Sequence, residues 1–176
     1  MLAHLTAEEY VRFNYISPED FNSYFKFAFV RNPWERLFSE FKYRRYHEKF
    51  TFREYVLKHL PDEDNYSDSY RHILPQSRFI YDEDNNLLVD FVGKFENLHN
   101  DFSIVCDKIN LQDKKLPHVN SSSSPWRRIS QQLFNKKSHT PKSHYSTYYD
   151  TETQQRVSEI YKEDIERLGY KFEKFY

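Results

Sequence analysis

The sequence predicts an α/β fold, a parallel sheet flanked by helices, in a single domain spanning residues 1–176. Two apolar runs are each followed at once by a helical pattern, and strand-then-helix units of this kind argue for parallel pairing. No internal repeat or low-complexity tract competes with that reading. With 176 residues, 38% hydrophobic and 19% aromatic, the chain suffices for one core, built largely from 16 Phe and 15 Tyr.

Taken in order, Thr6 followed by Glu9 opens a helix reaching Arg12. Phe25 to Val30 reads as a strand, and a helix runs from Asn32 to about Tyr46 with Trp34, Leu37, Phe38 and Phe41 on one face; Arg36, Glu40 and Arg44 are free to point elsewhere. Residues 51–60 give a short helix with Phe52, Tyr55, Val56 and Leu60 on one side, and Pro61 to Tyr70 is loop by composition. Leu87 to Phe95 is the second strand. Glu96 and Asn97 then open a helix in which Leu98, Phe102, Val105 and Ile109 keep helical spacing, with Glu96 explained by capping and the helix dipole. Ser121 to Ser124 and Lys136 to Lys142 read as exposed loop. Thr151 with Gln154 forms a capping box for a last helix through Leu168, burying Val157, Ile160, Tyr161, Ile165 and Leu168, and Gly169 stops it.

The segment from Phe25 to Ser39, FKFAFVRNPWERLFS, carries the chemistry. An apolar run ends at a basic residue, and Asn-Pro starts a helix immediately after it. Asn32 is placed to cap, Pro33 suits the first helical position, and Glu35 stands three residues after the cap as in a capping box. A strand therefore delivers Arg31 to a helix N-terminus, whose unpaired N–H groups and dipole favour an anion.

Composition narrows the function classes. Lys plus Arg number 26 against 27 Asp plus Glu, a net charge of −1, so no global attraction to nucleic acid is expected and an anion site must be local. The basic residues Arg127, Arg128, Lys136, Lys137 and Lys142 read as a solvated loop. Tyr145, Tyr148 and Tyr149 read as core aromatics before sugar or adenine platforms. Cys106 is the one cysteine, which excludes an internal disulfide and a cysteine-built metal site; no metal is expected. Only Gly93 and Gly169 occur, so neither G-x-x-x-x-G-K-[ST] nor G-x-G-x-x-G can be written, and nothing here cradles a diphosphate.

RNPWERLFS resembles the 3′-phosphate-binding motif of sulfotransferases that use 3′-phosphoadenosine 5′-phosphosulfate (PAPS), in particular the carbohydrate branch. RHILPQSRFI, VDFVGKFENLHNDF, LPHVNSS and YYDTETQQRVSEIYKEDIERLGYKF resemble the same branch in the expected order, from about residue 20 to the C-terminus. The resemblance implies a P-loop-like sulfotransferase core in which Arg31 and Ser39 grip the 3′-phosphate of PAPS. A guanidinium holds a phosphate bidentately and a hydroxyl adds one bond. It also implies an N-terminal lysine-bearing loop for the 5′-phosphosulfate, which the sequence lacks; the expectation is an N-terminally truncated chain, with first strand and P-loop not represented, or one that has lost half its cofactor site.

The implied reaction moves a sulfuryl group from PAPS to a hydroxyl, most of all on a carbohydrate. By analogy with phosphoryl transfer it needs positive donors at the leaving phosphate and a base at the acceptor. His72, in RHILPQ, is the candidate base, against an ordinary half-buried role; His118 is the second candidate and reads as structural. The alternative is a non-catalytic remnant or binding module keeping only the 3′-phosphate half. No stretch approaches the roughly 20 apolar residues of a membrane span, and the N-terminus lacks the pattern of a secretion signal. A cytoplasmic chain is therefore expected, with a Golgi membrane as the alternative if an anchor is missing.

Overall fold

The structure, a computed structural model, describes residues 4–61, 66–116 and 144–174. Strand β1 (Phe27–Val30) pairs in parallel with β2 (Phe91–Lys94), Phe27 opposite Phe91 and Val30 opposite Lys94. Both strands are shorter than expected, because flanking bonds rather than ladder bonds hold their entry: Lys26 N–H donates to the Asp90 carboxylate at 2.7 Å. Among the described residues this two-stranded parallel sheet is the whole sheet, and helices supply most of the core. Gly93 lies opposite Phe29, whose ring would stand 2.5 Å from any added Cβ, so a side chain here would break the close approach.

Helix α1 (Ala7–Arg12) has the expected capping box: Glu9 N–H donates to Thr6 Oγ1 at 3.2 Å and Thr6 N–H to Glu9 Oε2 at 2.8 Å. Glu9 is also buried against Arg71, itself 3% exposed. Burial alone would raise the Glu9 carboxyl; the Thr6 N–H and the Arg71 guanidinium outweigh it and hold the group below its ordinary value of 4.5. A depressed carboxyl stabilises the fold fully above that value and loses its contribution as pH falls through the folded one. Glu9→Gln is therefore expected to flatten the fall in urea midpoint below pH 4.5. An acid limb identical to that of the parent protein would remove this pair from the acid response.

Helix α2 (Pro18–Ser23), capped by Ser17, was not expected, although Ser-Pro marks its start. Helix α3 (Pro33–Tyr43) follows β1 and buries Trp34, Leu37, Phe38 and Phe41, the predicted face. Helix α4 (Phe52–Lys58) carries the Thr51–Glu54 capping box and buries Phe52, Tyr55 and Val56; it ends two residues before Leu60. The segment read as loop to Tyr70 instead starts helix α5 (Asp68–Ile73), because Ser67 accepts from Tyr70 N–H and the following turn buries Arg71 and Ile73. A short α6 (Ser77–Ile80) leads toward β2, and α7 (Leu98–Lys108) packs on it, burying Val105 and Cys106 while Ile109 stays exposed.

The last predicted helix is two. Helix α8 (Thr151–Ile160) is capped by Asp150, whose carboxylate accepts from Thr153 N–H at 2.8 Å, so the box is Asp150–Thr153 and not Thr151–Gln154. Tyr161 breaks the run with φ −105° and ψ 26°, its ring buried and its hydroxyl donating to the Ile73 carbonyl at 2.7 Å; α9 (Lys162–Leu168) follows. That buried anchor sets the bend, which helical periodicity does not register. Gly169 adopts φ +69° and ends α9 as expected. Among the described residues no helix is long and apolar enough to cross a membrane.

Candidate functional site

The site lies where β1 ends and α3 begins, beside the end of β2, at the carboxyl edge of the parallel pair. Gln76 clamps the Arg31 main chain from both sides: it accepts from Arg31 N–H and donates to the Arg31 carbonyl, both at 2.8 Å. Gln76 is fixed in turn by Asp164 of α9, fully buried, which accepts from the Gln76 and Ser77 N–H groups at 2.7 Å each. The Arg31 guanidinium lies 4.6 Å from the centre of the Phe95 ring and donates to Glu35 at 2.7 Å. Its Nε is buried with no hydrogen-bond partner among the described residues. A buried donor left unmatched in an arginine of this position is a feature that an anionic oxygen would complete.

The helix N-terminus differs from its sequence reading. Trp34 and Glu35 N–H both point to Asn32 Oδ1, at 3.1 and 3.5 Å, and Arg36 N–H to the Asn32 carbonyl at 2.8 Å. Pro33 has no N–H to give. The first-turn donors are therefore spent on the cap and not held open for an anion, which leaves the dipole and the arginine. Nor does Glu35 complete a capping box, since it turns to Arg31. Glu96 takes that place from the β2 side, accepting Asn32 N–H at 2.6 Å and the Tyr170 hydroxyl at 3.3 Å, so it does not cap α7. A residue 64 positions away has replaced the local partner.

Arg31 and Ser39, chosen together from sequence as a 3′-phosphate pair, and His72, chosen as a base, line a single cleft of about 300 Å³ together with Arg36, Glu40 and Tyr43. A larger cleft of about 920 Å³ beside α1 and α6 contains none of the three. His72 is held by side chains that periodicity had assigned to the outer face of α3. Glu40, 8% exposed, receives His72 Nδ1 at 2.9 Å, and Arg44 Nε donates to the same carboxylate at 2.7 Å. Arg36 donates to the His72 and Leu74 carbonyls at 2.7 and 2.9 Å, tying α5 to α3. With a carboxylate at Nδ1 the proton is assigned there, which leaves the lone pair on Nε2. Tyr43 stacks on the imidazole at 6.2 Å, nearly parallel.

That Nε2 already has neighbours. It lies 3.0 Å from His4 Nε2 and 3.5 Å from Asp68 Oδ1, and His4 Nε2 lies 3.2 Å from the same carboxylate oxygen. Arg44 also bonds Asp68, and that hydrogen bond holds the Asp68 carboxyl below the ordinary carboxylate range. Sequence reasoning missed His4, Glu40, Asp68 and the Gln76–Asp164 clamp. Of these, the Glu40–Arg44 and Asp68–His72 spacings at i, i+4 were local signals, whereas His4 and the Gln76–Asp164 clamp left none.

Tyr145 and Tyr149 belong to the core, as their composition suggested: Tyr145 is 5% exposed and the Tyr149 hydroxyl donates to the Trp34 carbonyl at 2.8 Å. Tyr148 lies partly exposed with its ring 4.2 Å from Phe38. His118, Ser121 to Ser124 and the basic residues Arg127, Arg128, Lys136, Lys137 and Lys142 lie outside the described residues.

The chain is 30% identical over 124 residues to a protein of Archaeoglobus fulgidus described as uncharacterized, a match covering 66% of this chain and 93% of that one. No solved structure matches it. The sequence model of the sulfotransferase family matches residues 3–171, from just before His4 to just after Tyr170, so that β1, α3 and every residue of the cleft fall inside it. The chain belongs to the sulfotransferase family.

Proposed function

We propose that this chain binds the 3′-phosphate end of PAPS through Arg31 and Ser39, and that it serves transfer of a sulfuryl group to a carbohydrate hydroxyl with His72 as the base. The observation that carries this reading is the convergence of Arg31, Ser39 and His72 on one cleft within the family match. The unmatched Arg31 Nε fits a phosphate. When bound, the donor supplies the sulfuryl group; the chain's own part is to hold the 3′-phosphate and to take the acceptor proton on His72 Nε2. Glu40 keeps Nδ1–H in place and stabilises the imidazolium that proton transfer creates. The acceptor hydroxyl reaches Nε2 on the side where His4 stands, so His4 gives way to it.

A second reading, a binding module that keeps only the phosphate half, is favoured by the glycine content. The two glycines of residues 1–176 do not make a diphosphate-cradling loop. One titration tests what the two readings share. Adenosine 3′,5′-bisphosphate is expected to bind the 176-residue chain, and Arg31→Ala to weaken it by about 1.5–3 kcal/mol, the worth of hydrogen bonds to a charged group. Equal affinity for adenosine 5′-monophosphate would overturn both. Turnover of labelled PAPS separates them: the chain alone is expected to show none, and sulfuryl transfer on adding a lysine-bearing N-terminal segment selects the enzyme.

A further inference from the structure

We propose that His4, Asp68 and His72 form a binding site for a divalent transition metal of the zinc class. Their ligand atoms, Nε2, Oδ1 and Nε2, lie within 4.8 Å of one another, with separations of 3.0, 3.2 and 3.5 Å. A tetrahedral zinc site with bonds of about 2.0–2.1 Å holds its ligand atoms about 3.3–3.4 Å apart. The three atoms are thus spaced as three corners of that tetrahedron. The fourth corner goes to water or an incoming group.

The hydrogen bonds around the three agree. Glu40 accepts the hydrogen bond from His72 Nδ1–H, so Nε2 offers a lone pair. Asp68 offers Oδ1 to the cluster while its other oxygen is held by Arg44. His4 Nε2 faces both. Three ligand atoms thus converge, His4 Nε2 lying 3.0 Å from His72 Nε2 and 3.2 Å from Asp68 Oδ1, and a metal ion between them satisfies all three at once.

The outer layer is also in place. Metal-bound histidines commonly give their second nitrogen to a carboxylate, and Glu40 does this for His72, while Arg44 ties Glu40 to Asp68. Two imidazoles and one carboxylate select zinc, copper or nickel over magnesium or calcium, which want more oxygen. The Arg44 charge works against binding, as does the exposure of Asp68, so affinity below that of a closed four-ligand site is expected. The metal would use the nitrogen assigned above to proton transfer, making the loaded and the base-competent states exclusive; only that consequence rests on the transferase reading.

The test is a titration of the tag-free chain with Zn²⁺ against a chromophoric chelator, with Co²⁺ as a spectroscopic probe. One equivalent of Zn²⁺ is expected, with the intense visible bands of four-coordinate Co²⁺. His4→Ala and Asp68→Asn should each weaken Zn²⁺ binding by about 100-fold or more, and Glu40→Gln by about 10-fold, while His99→Ala, exposed on α7, changes nothing. His4 precedes the first helix, so circular dichroism should show that its variant keeps the fold; if it does not, Asp68→Asn decides. No Zn²⁺ uptake, uptake unchanged by both ligand variants, or uptake equally lost in His99→Ala would each overturn the site. Bisphosphate affinity, measured on the same protein, reports on the transferase reading separately.

Discussion

His72→Ala is expected to lower kcat for sulfuryl transfer by roughly 10²–10⁴-fold, the range that a general base contributes. The measurement uses a chain supplied with the lysine-bearing segment for the 5′ side. Bisphosphate affinity should hardly move, because the imidazole acts on the acceptor; this loss of kcat without loss of cofactor marks a group used in the transition state. Glu40→Gln should lower kcat in the same direction, since an amide nitrogen can face Nδ1–H where a carboxylate now accepts it. An unchanged kcat for His72→Ala removes it from the mechanism. A collapse of bisphosphate binding instead makes it structural, through the α5 contact that Arg36 secures.

Asp164→Ala should cost about 2–6 kcal/mol of stability, from two buried N–H groups left without an acceptor at about 1–3 kcal/mol each. That is a large part of the margin of a typical domain, roughly 5–15 kcal/mol. The carboxylate is fully buried and is the acceptor for Gln76 and Ser77, so it also sets the Arg31 main chain two links away. Urea denaturation of the parent, Asp164→Ala and Asp164→Asn checks this, the amide variant losing less because one oxygen remains. A midpoint within experimental error of the parent for Asp164→Ala would mean that the clamp is replaceable. In a variant that still folds, weaker bisphosphate binding is the expected second sign.

Periodicity and capping made several elements legible before any coordinates. The Trp34, Leu37, Phe38 and Phe41 face, the capping box at Thr6 and the Gly169 stop all depend on near neighbours along the chain, and all appear in the structure. The same local logic failed where a distant group made a better partner. Glu35 left its capping box for Arg31, Glu96 left α7 for Asn32, and Glu40, on the face read as outward, is buried under His72. Tyr161 broke a helix because its hydroxyl reaches Ile73.

The sequence by itself determined the family, the α/β class in outline, and Arg31, Ser39 and His72 as the residues to watch, because motif order and side-chain chemistry are properties of the chain. Only the tertiary structure decided how small the sheet is among the described residues, that those three residues share one cleft, and that the helix N-terminus is already capped. It alone brought His4 and Glu40 to His72, across separations of 68 and 32 residues, whereas Asp68 reaches it as an i, i+4 neighbour on α5. The physical reason is that a buried polar atom bonds whatever partner packing carries to it, and no spacing rule in one chain records which that will be.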